Sequence, residues 1–179
     1  MWIIQAIFSF TFDLIIGNSF FLDQIYKIDY DNSEIIIYKT APKLENGFIQ
    51  QNMLLDNGVR PVFEASFVLG DSIYTDWFLF DTGNTSNGIL GSSFLARNNL
   101  SRQFSTIVGF GSRKIARIPQ LIIAQQTFTH GAITLEKPNK EKSQYKYGGI
   151  IGNKMLIHFN VIIDNREGFI YLQPRNTSD

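Results

Sequence analysis

Two copies of one short pattern limit what this chain can fold into more than any other feature. "DLIIGNSFFLDQIYKIDYDNSEIIIY" begins at Asp13 and "GGIIGNKMLIHFNVIIDNREGFIYLQ" begins at Gly148, aligned without a gap at an offset of 135. Ile15, Ile16, Gly17, Asn18, Ile28, Asp29 and Ile35 recur as Ile150, Ile151, Gly152, Asn153, Ile163, Asp164 and Ile170. Internal similarity of this kind marks one supersecondary unit used twice. Each copy reads as an apolar strand end, then a glycine that lets the backbone bend or another segment come close. Asn18 or Asn153 suits a helix N-cap. "SFFLDQI" and "KMLIHF" read as helices of about two turns. Two strands follow in each copy, joined by "DNS" or "NREG" turns in which Asp or Asn supplies local hydrogen bonds.

The stretch between the copies reads as strands and turns. Residues 40 to 50, with Pro42, Glu45, Asn46 and Gly47, are linker-like. Asp56-Asn57-Gly58 is a strong hairpin signal, and "GDSI" (70 to 73) a second turn. Ser92 or Ser93 is placed to cap a helix through "FLARNNL". "VGFGS" (108 to 112) predicts a mobile hairpin tip or loop, "RIPQLIIAQQTF" and "GAITLEK" further strands, and Lys137 to Gly148 an exposed basic loop. Sixteen Phe and seven Tyr strengthen the β reading, because aromatics suit a pleated, half-buried surface. The expected class is all-β with two or three short helices.

Sixteen basic and sixteen acidic residues cancel, so no net charge argues for nucleic acid or an anionic membrane. With no cysteine, disulfides, thiol catalysis and zinc-thiolate sites are excluded. The compartment stays open. "MWIIQAIFSFTF" is too short to span a bilayer, and no Lys or Arg precedes its apolar run as a signal peptide requires. A buried strand is the competing reading. His130 and His158 lack metal-ligand or catalytic spacing, and Gly109-Phe110-Gly111 lacks the Lys-Ser/Thr of a phosphate loop. No metal or cofactor is expected.

"DWFLFDTGNT" remains. Four apolar residues, Trp77 to Phe80, run into Asp81-Thr82-Gly83, and Ile150-Ile151-Gly152 follows well downstream, before a short helix. An isolated Asp-Thr-Gly is more often a strand-ending turn. In this setting it resembles the aspartic peptidases, pepsin-like and retroviral. "RPVFEASFVLGDSIYTDWFLFDTGNT" and "GGIIGNKMLIHFNVIIDNREGFIYLQP" look most like the bacterial two-lobed members. The resemblance implies a pepsin-like acid-protease barrel lobe and peptide-bond hydrolysis without metal or cofactor. It implies Asp81 as catalytic, Thr82 as holding the turn through its hydroxyl, and Gly83 as permitting the turn. Asn84 departs from the small Ala or Ser usual there. Asp29 and Asp164 are implied to be structural.

Such an enzyme holds a water between two carboxylates that share a proton. Like charges at close range push one apparent pKa down and the other up. The ionised member takes a proton from water and the protonated one polarises the scissile carbonyl. No second Asp-Thr/Ser-Gly exists in the chain. Subtracting the repeat offset from the position of Asp81 gives a negative number, so the matching Asp would fall well before Met1. The expectation is a truncated protein, with residues 1–50 the remnant of an N-terminal lobe plus linker and 51–179 a complete lobe. Its partners would be a peptide or protein substrate and either a second copy or the missing lobe, and residues 1 to 38 could obstruct that interface. The alternative is an inactive β-rich peptide-binding module.

Overall fold

The computed structural model describes residues 16–104, 106–110, 113–118, 120–129, 131–136 and 146–176. The apolar N-terminus up to Ile15, His130, the tip at 111–112 and most of the 137–148 basic loop lie outside them. The class is all-β as expected: fourteen strands join, with a 3₁₀ turn and two short helices among the described residues.

The repeat is structural. The first copy comprises a 3₁₀ turn (Asn18–Phe21), β1 (Ile25–Asp29) and β2 (Glu34–Tyr38). At the same offset of 135 the second has a helix (Asn153–Leu156), β13 (Phe159–Asp164) and β14 (Phe169–Pro174). Both helical pieces are a single turn, shorter than expected, because strand pairing claims the chain from Ile25 and Phe159 onward. Their N-caps are Gly17 and Gly152 rather than the asparagines, and neither makes a side-chain cap bond. Asn153 instead accepts a hydrogen bond from the Tyr30 hydroxyl at 2.6 Å.

The copies pair directly. β1 runs antiparallel to β13 with Lys27 opposite Ile162, each the other's counterpart at the offset of 135. A local two-fold therefore passes through that pair. The hairpin turns match too. Asp29 Oδ1 accepts the N–H groups of Asp31 and Asn32, each at 3.1 Å, as Asp164 Oδ1 accepts those of Arg166 and Glu167 at 2.9 and 3.0 Å. This satisfies backbone donors that a tight turn would otherwise leave unpaired.

β3 (Ile49–Asp56) joins this sheet to the rest: its first half pairs with β14, its second with β4 (Arg60–Leu69). The turn between them puts Asn57 and Gly58 at positive φ, 51° and 73°, as the Asp-Asn-Gly signal predicted. β4 pairs with β5 (Ser72–Asp81) over eight residue pairs. Beyond β5 lie β12 (Gly149–Gly152), β6 (Gly88–Leu90), β11 (Ala132–Glu136), β8 (Arg113–Arg117) and β7 (Thr106–Phe110). Val108 to Phe110, read as part of a hairpin tip, thus lie in strand β7.

"RIPQLIIAQQTF" is not one strand. β9 (Gln120–Ile123) pairs with β4 and turns through Ala124 and Gln125, at φ 45° and 64°, into β10 (Gln126–Thr129). Neither turn residue is Gly or Asn, so local chemistry gave no signal and sheet pairing imposes the conformation. The helix α1 (Ser92–Arg97) is capped by Gly91, without a serine side-chain cap bond. The core centres on Phe67, Phe78 and Phe94, with ring centroids 5.5, 5.7 and 6.2 Å apart. Val62, Leu79 and Ile150 form a second cluster, joined by Trp77. Because strand side chains alternate, Phe78 and Phe80 join the main core while Trp77 and Leu79 meet the second cluster. A strand buried on both faces is why "WFLF" is continuously apolar.

Candidate active site

Asp81 ends β5 and is half-buried; Thr82 and Gly83 are exposed beside it. The turn is tied by the Gly83 N–H donating to Asp81 Oδ1 at 3.0 Å and by the Asn84 N–H donating to the Asp81 carbonyl at 3.2 Å. One carboxylate oxygen thus serves the backbone and fixes the side chain's orientation.

The distant glycine segment braces this turn. β12 lies parallel to β5, with Ile151 beside Phe80 and Gly152 beside Asp81, and antiparallel to β6 on its other side. A strand from far down the chain is thereby threaded between two strands that flank the Asp turn. The close approach needs glycine. A Cβ at Gly152 would sit 2.2 Å from the Ser86 carbonyl oxygen, and one at Gly149 would sit 1.9 Å from that of Ile89. Hydrogen bonds complete the brace: Gly152 N–H to the Asn87 carbonyl at 2.9 Å and Asn153 N–H to that of Asn84 at 2.7 Å.

Asn84 has a role here that the sequence did not suggest. Its Oδ1 accepts from the Ser86 N–H at 3.0 Å and the Ser86 hydroxyl at 2.6 Å, closing the loop that rests on Gly152. The signal was present as an Asn two residues before a Ser, a spacing that favours a local side-chain-to-backbone bond.

A cleft of about 520 Å³ opens at Asp81. Asp81, Thr82 and Gly83 line one side, and Ile16, Gly17 and Asn18 of the first repeat line it too. Tyr26, Ile28 and Ile35 add apolar surface to a lining that is otherwise mixed. Burial pushes the Tyr26 hydroxyl well above the ordinary tyrosine range, so it stays neutral at working pH. Asp81 is the one carboxylate lining the cleft among the described residues.

The predicted Asp81, Thr82 and Gly83 therefore share one turn, and the first repeat faces it. Asp29 lies elsewhere: its carboxylate accepts from Lys27 Nζ at 2.8 Å. Burial would raise its pKa, but hydrogen bonds from Lys27 and Asn32 outweigh burial and hold the carboxyl at about 2. The His158 ring packs on Phe128 with centroids 5.2 Å apart. Among the described residues, no three of His, Cys, Asp and Glu converge as a metal ion would need.

No protein-family model and no curated protein matches the chain. Among solved structures it is similar to a retropepsin-like aspartic protease from Rickettsia conorii, with 14% sequence identity and a TM-score of 0.44. The match covers 74% of this chain and 95% of that one.

Proposed function

We propose that this chain carries one half of an aspartic-endopeptidase site. Asp81 is one of two carboxylates that activate a water for peptide-bond hydrolysis, and the other comes from outside the described residues. One observation carries the reading. The Asp81 turn rests on Gly152 at one edge of a cleft, and Gly17, the repeat counterpart of Gly152, lines the same cleft. A second Asp turn resting on Gly17 would face Asp81 across that space. In this arrangement the ionised carboxylate takes the water's proton as its oxygen attacks the scissile carbonyl. The protonated carboxyl donates to the carbonyl oxygen, whose charge is then developing. The reaction calls for no metal or cofactor. On this reading residues 51–179 form one lobe, and residues 1–50 are the tail of another plus linker.

The test is cleavage of unstructured peptides at acid pH, with and without pepstatin. The chain alone is expected to be inactive or weak. Pepstatin-sensitive cleavage is expected once a second Asp turn is supplied, and Asp81→Asn should abolish it. Cleavage at the full rate by Asp81→Asn would overturn the assignment.

That Asp81 is the one carboxylate lining the cleft among the described residues supports a second reading, a module that binds extended peptides without cutting them. Peptide binding unchanged by Asp81→Asn, with no cleavage under any condition, would favour it.

A further inference from the structure

A fork opens in the sheet where β3 changes partners. Ile49 to Asn52 pair with β14, and Met53 to Asp56 pair with β4. Beyond Phe63, β4 keeps β5 on one side and meets β9 on the other only from Ser66. A groove of about 310 Å³ lies in the fork, at the small end of the range for ligand sites. Gln50, Gln51 and Asn52 line one wall, and Glu64 with its cross-strand partner Trp77 the other. The groove shares no lining residue with the Asp81 cleft.

Strand alternation decides which side chains face it. Met53, Phe63 and Phe78 enter the main core, so their neighbours Asn52, Glu64 and Trp77 face the other way. Gln50, two residues from Asn52, shares that face. Ile170 and Leu172 are core residues too, which puts Phe169 and Tyr171 on the same side, opposite Asn52 and Gln50 in register. Across the four strands the face runs from two aromatic rings, through carboxamides and one carboxylate, to the half-buried indole of Trp77. Among the described residues, no hydrogen bond or ion pair engages the side chains of Gln50, Asn52 or Glu64. Gln51 Oε1 is buried without a hydrogen-bond partner, so this wall is not closed by contacts within the protein.

We infer that this groove is a binding site for a compact neutral saccharide of one or two rings. A carboxamide presents donors and acceptors in one plane, and a sugar hydroxyl needs both. The Glu64 carboxylate can accept from two adjacent hydroxyls at once. The negative face of the Trp77 indole attracts the polarised C–H groups on the flat side of a pyranose ring. No Lys, Arg or His is among the residues lining the groove, so a phosphate or carboxylate ligand would meet no cation there. The fork closes where Met53 pairs with Phe63, which favours a compact ligand over an extended chain. The site uses neither Asp81 nor its cleft, so it stands or falls independently of the peptidase reading.

The test uses the full chain carrying Trp2→Phe, which leaves Trp77 as its sole tryptophan. Cellobiose, maltose, lactose and N,N′-diacetylchitobiose are titrated by fluorescence and by calorimetry. At least one is expected to bind saturably in the millimolar range and to shift the Trp77 emission. Gln50→Ala/Asn52→Ala alters two exposed side chains, and Glu64→Gln keeps the shape of the third. Each variant should weaken binding about tenfold or more while the urea midpoint stays unchanged. Failure of all four sugars to bind would overturn the inference. So would calorimetric binding that leaves the Trp77 emission unmoved, which would place the sugar elsewhere, or unchanged binding by the two folded variants. Adenosine serves as the stacking control. A Trp77 shift with adenosine as large as with any sugar would show a general aromatic platform and overturn the ligand class.

Discussion

Gly17 and Gly152 occupy equivalent positions and should respond unequally to the same change. Gly152→Ala drives a methyl group into the Ser86 carbonyl, backbone that cannot swing aside. The expected loss is about 3 kcal/mol or more, visible as a lowered urea midpoint. Gly17 has φ −77° and ψ 152°, which any residue adopts, and Gly17→Ala should stay within about 0.5 kcal/mol. A comparable loss at both sites would mean that Gly17 is already packed. Asp29 makes a prediction about pH. Its carboxyl is held at about 2, below the ordinary 3.8, so the unfolded chain takes up that proton first as pH falls. The stabilisation is present above about pH 4 and is lost as pH falls toward 2; it is worth about 2 kcal/mol. Urea denaturation of Asp29→Asn across that range should show a flatter acid limb and lower stability at neutral pH. An acid-pH peptidase assay above pH 4 would leave this hairpin intact.

At the scale of elements, the helices depend on what they pack against. α1 has six residues, too few to persist alone in water. Phe94, fully buried against Phe67 and Phe78, holds it to the sheet. Phe94→Ala should cost about 3 to 5 kcal/mol, measured by chemical denaturation, a large share of a typical domain's stability. Strands with alternating or continuous apolar residues were legible because their period is set by the backbone. The Asp56-Asn57-Gly58 turn was legible because few residues tolerate positive φ there. The turn at Ala124 and Gln125 was not, since its conformation comes from β9 pairing with β4 and β10. The helices are shorter than the sequence predicts for a similar reason: "SFFLDQI" has helical spacing, but partners across the sheet take over at Ile25.

For the whole molecule, the internal repeat organises the sheet around the Lys27 and Ile162 pair, and among the described residues one of its two matching faces is exposed. Ile170→Asp would place a charge in a closed core and should unfold the chain or cost more than about 4 kcal/mol. Ile35→Asp/Ile37→Asp changes the equivalent residue and its neighbour, yet should alter the melting temperature little. Thermal melts of the two variants side by side check this. Equal destabilisation would show the first face to be as enclosed as the second.

The sequence by itself determined the all-β class, the repeat and its offset, and the candidate triplet Asp81-Thr82-Gly83. These follow from strand period, turn chemistry and local similarity, all written in neighbouring residues. Only the tertiary structure decided that Gly152 lies beside Asp81, that Asn84 closes the loop between them, and that Gly17 lines the same cleft. Those relations join segments that lie far apart along the chain. They depend on which strand is threaded between which others, and no local propensity records that choice.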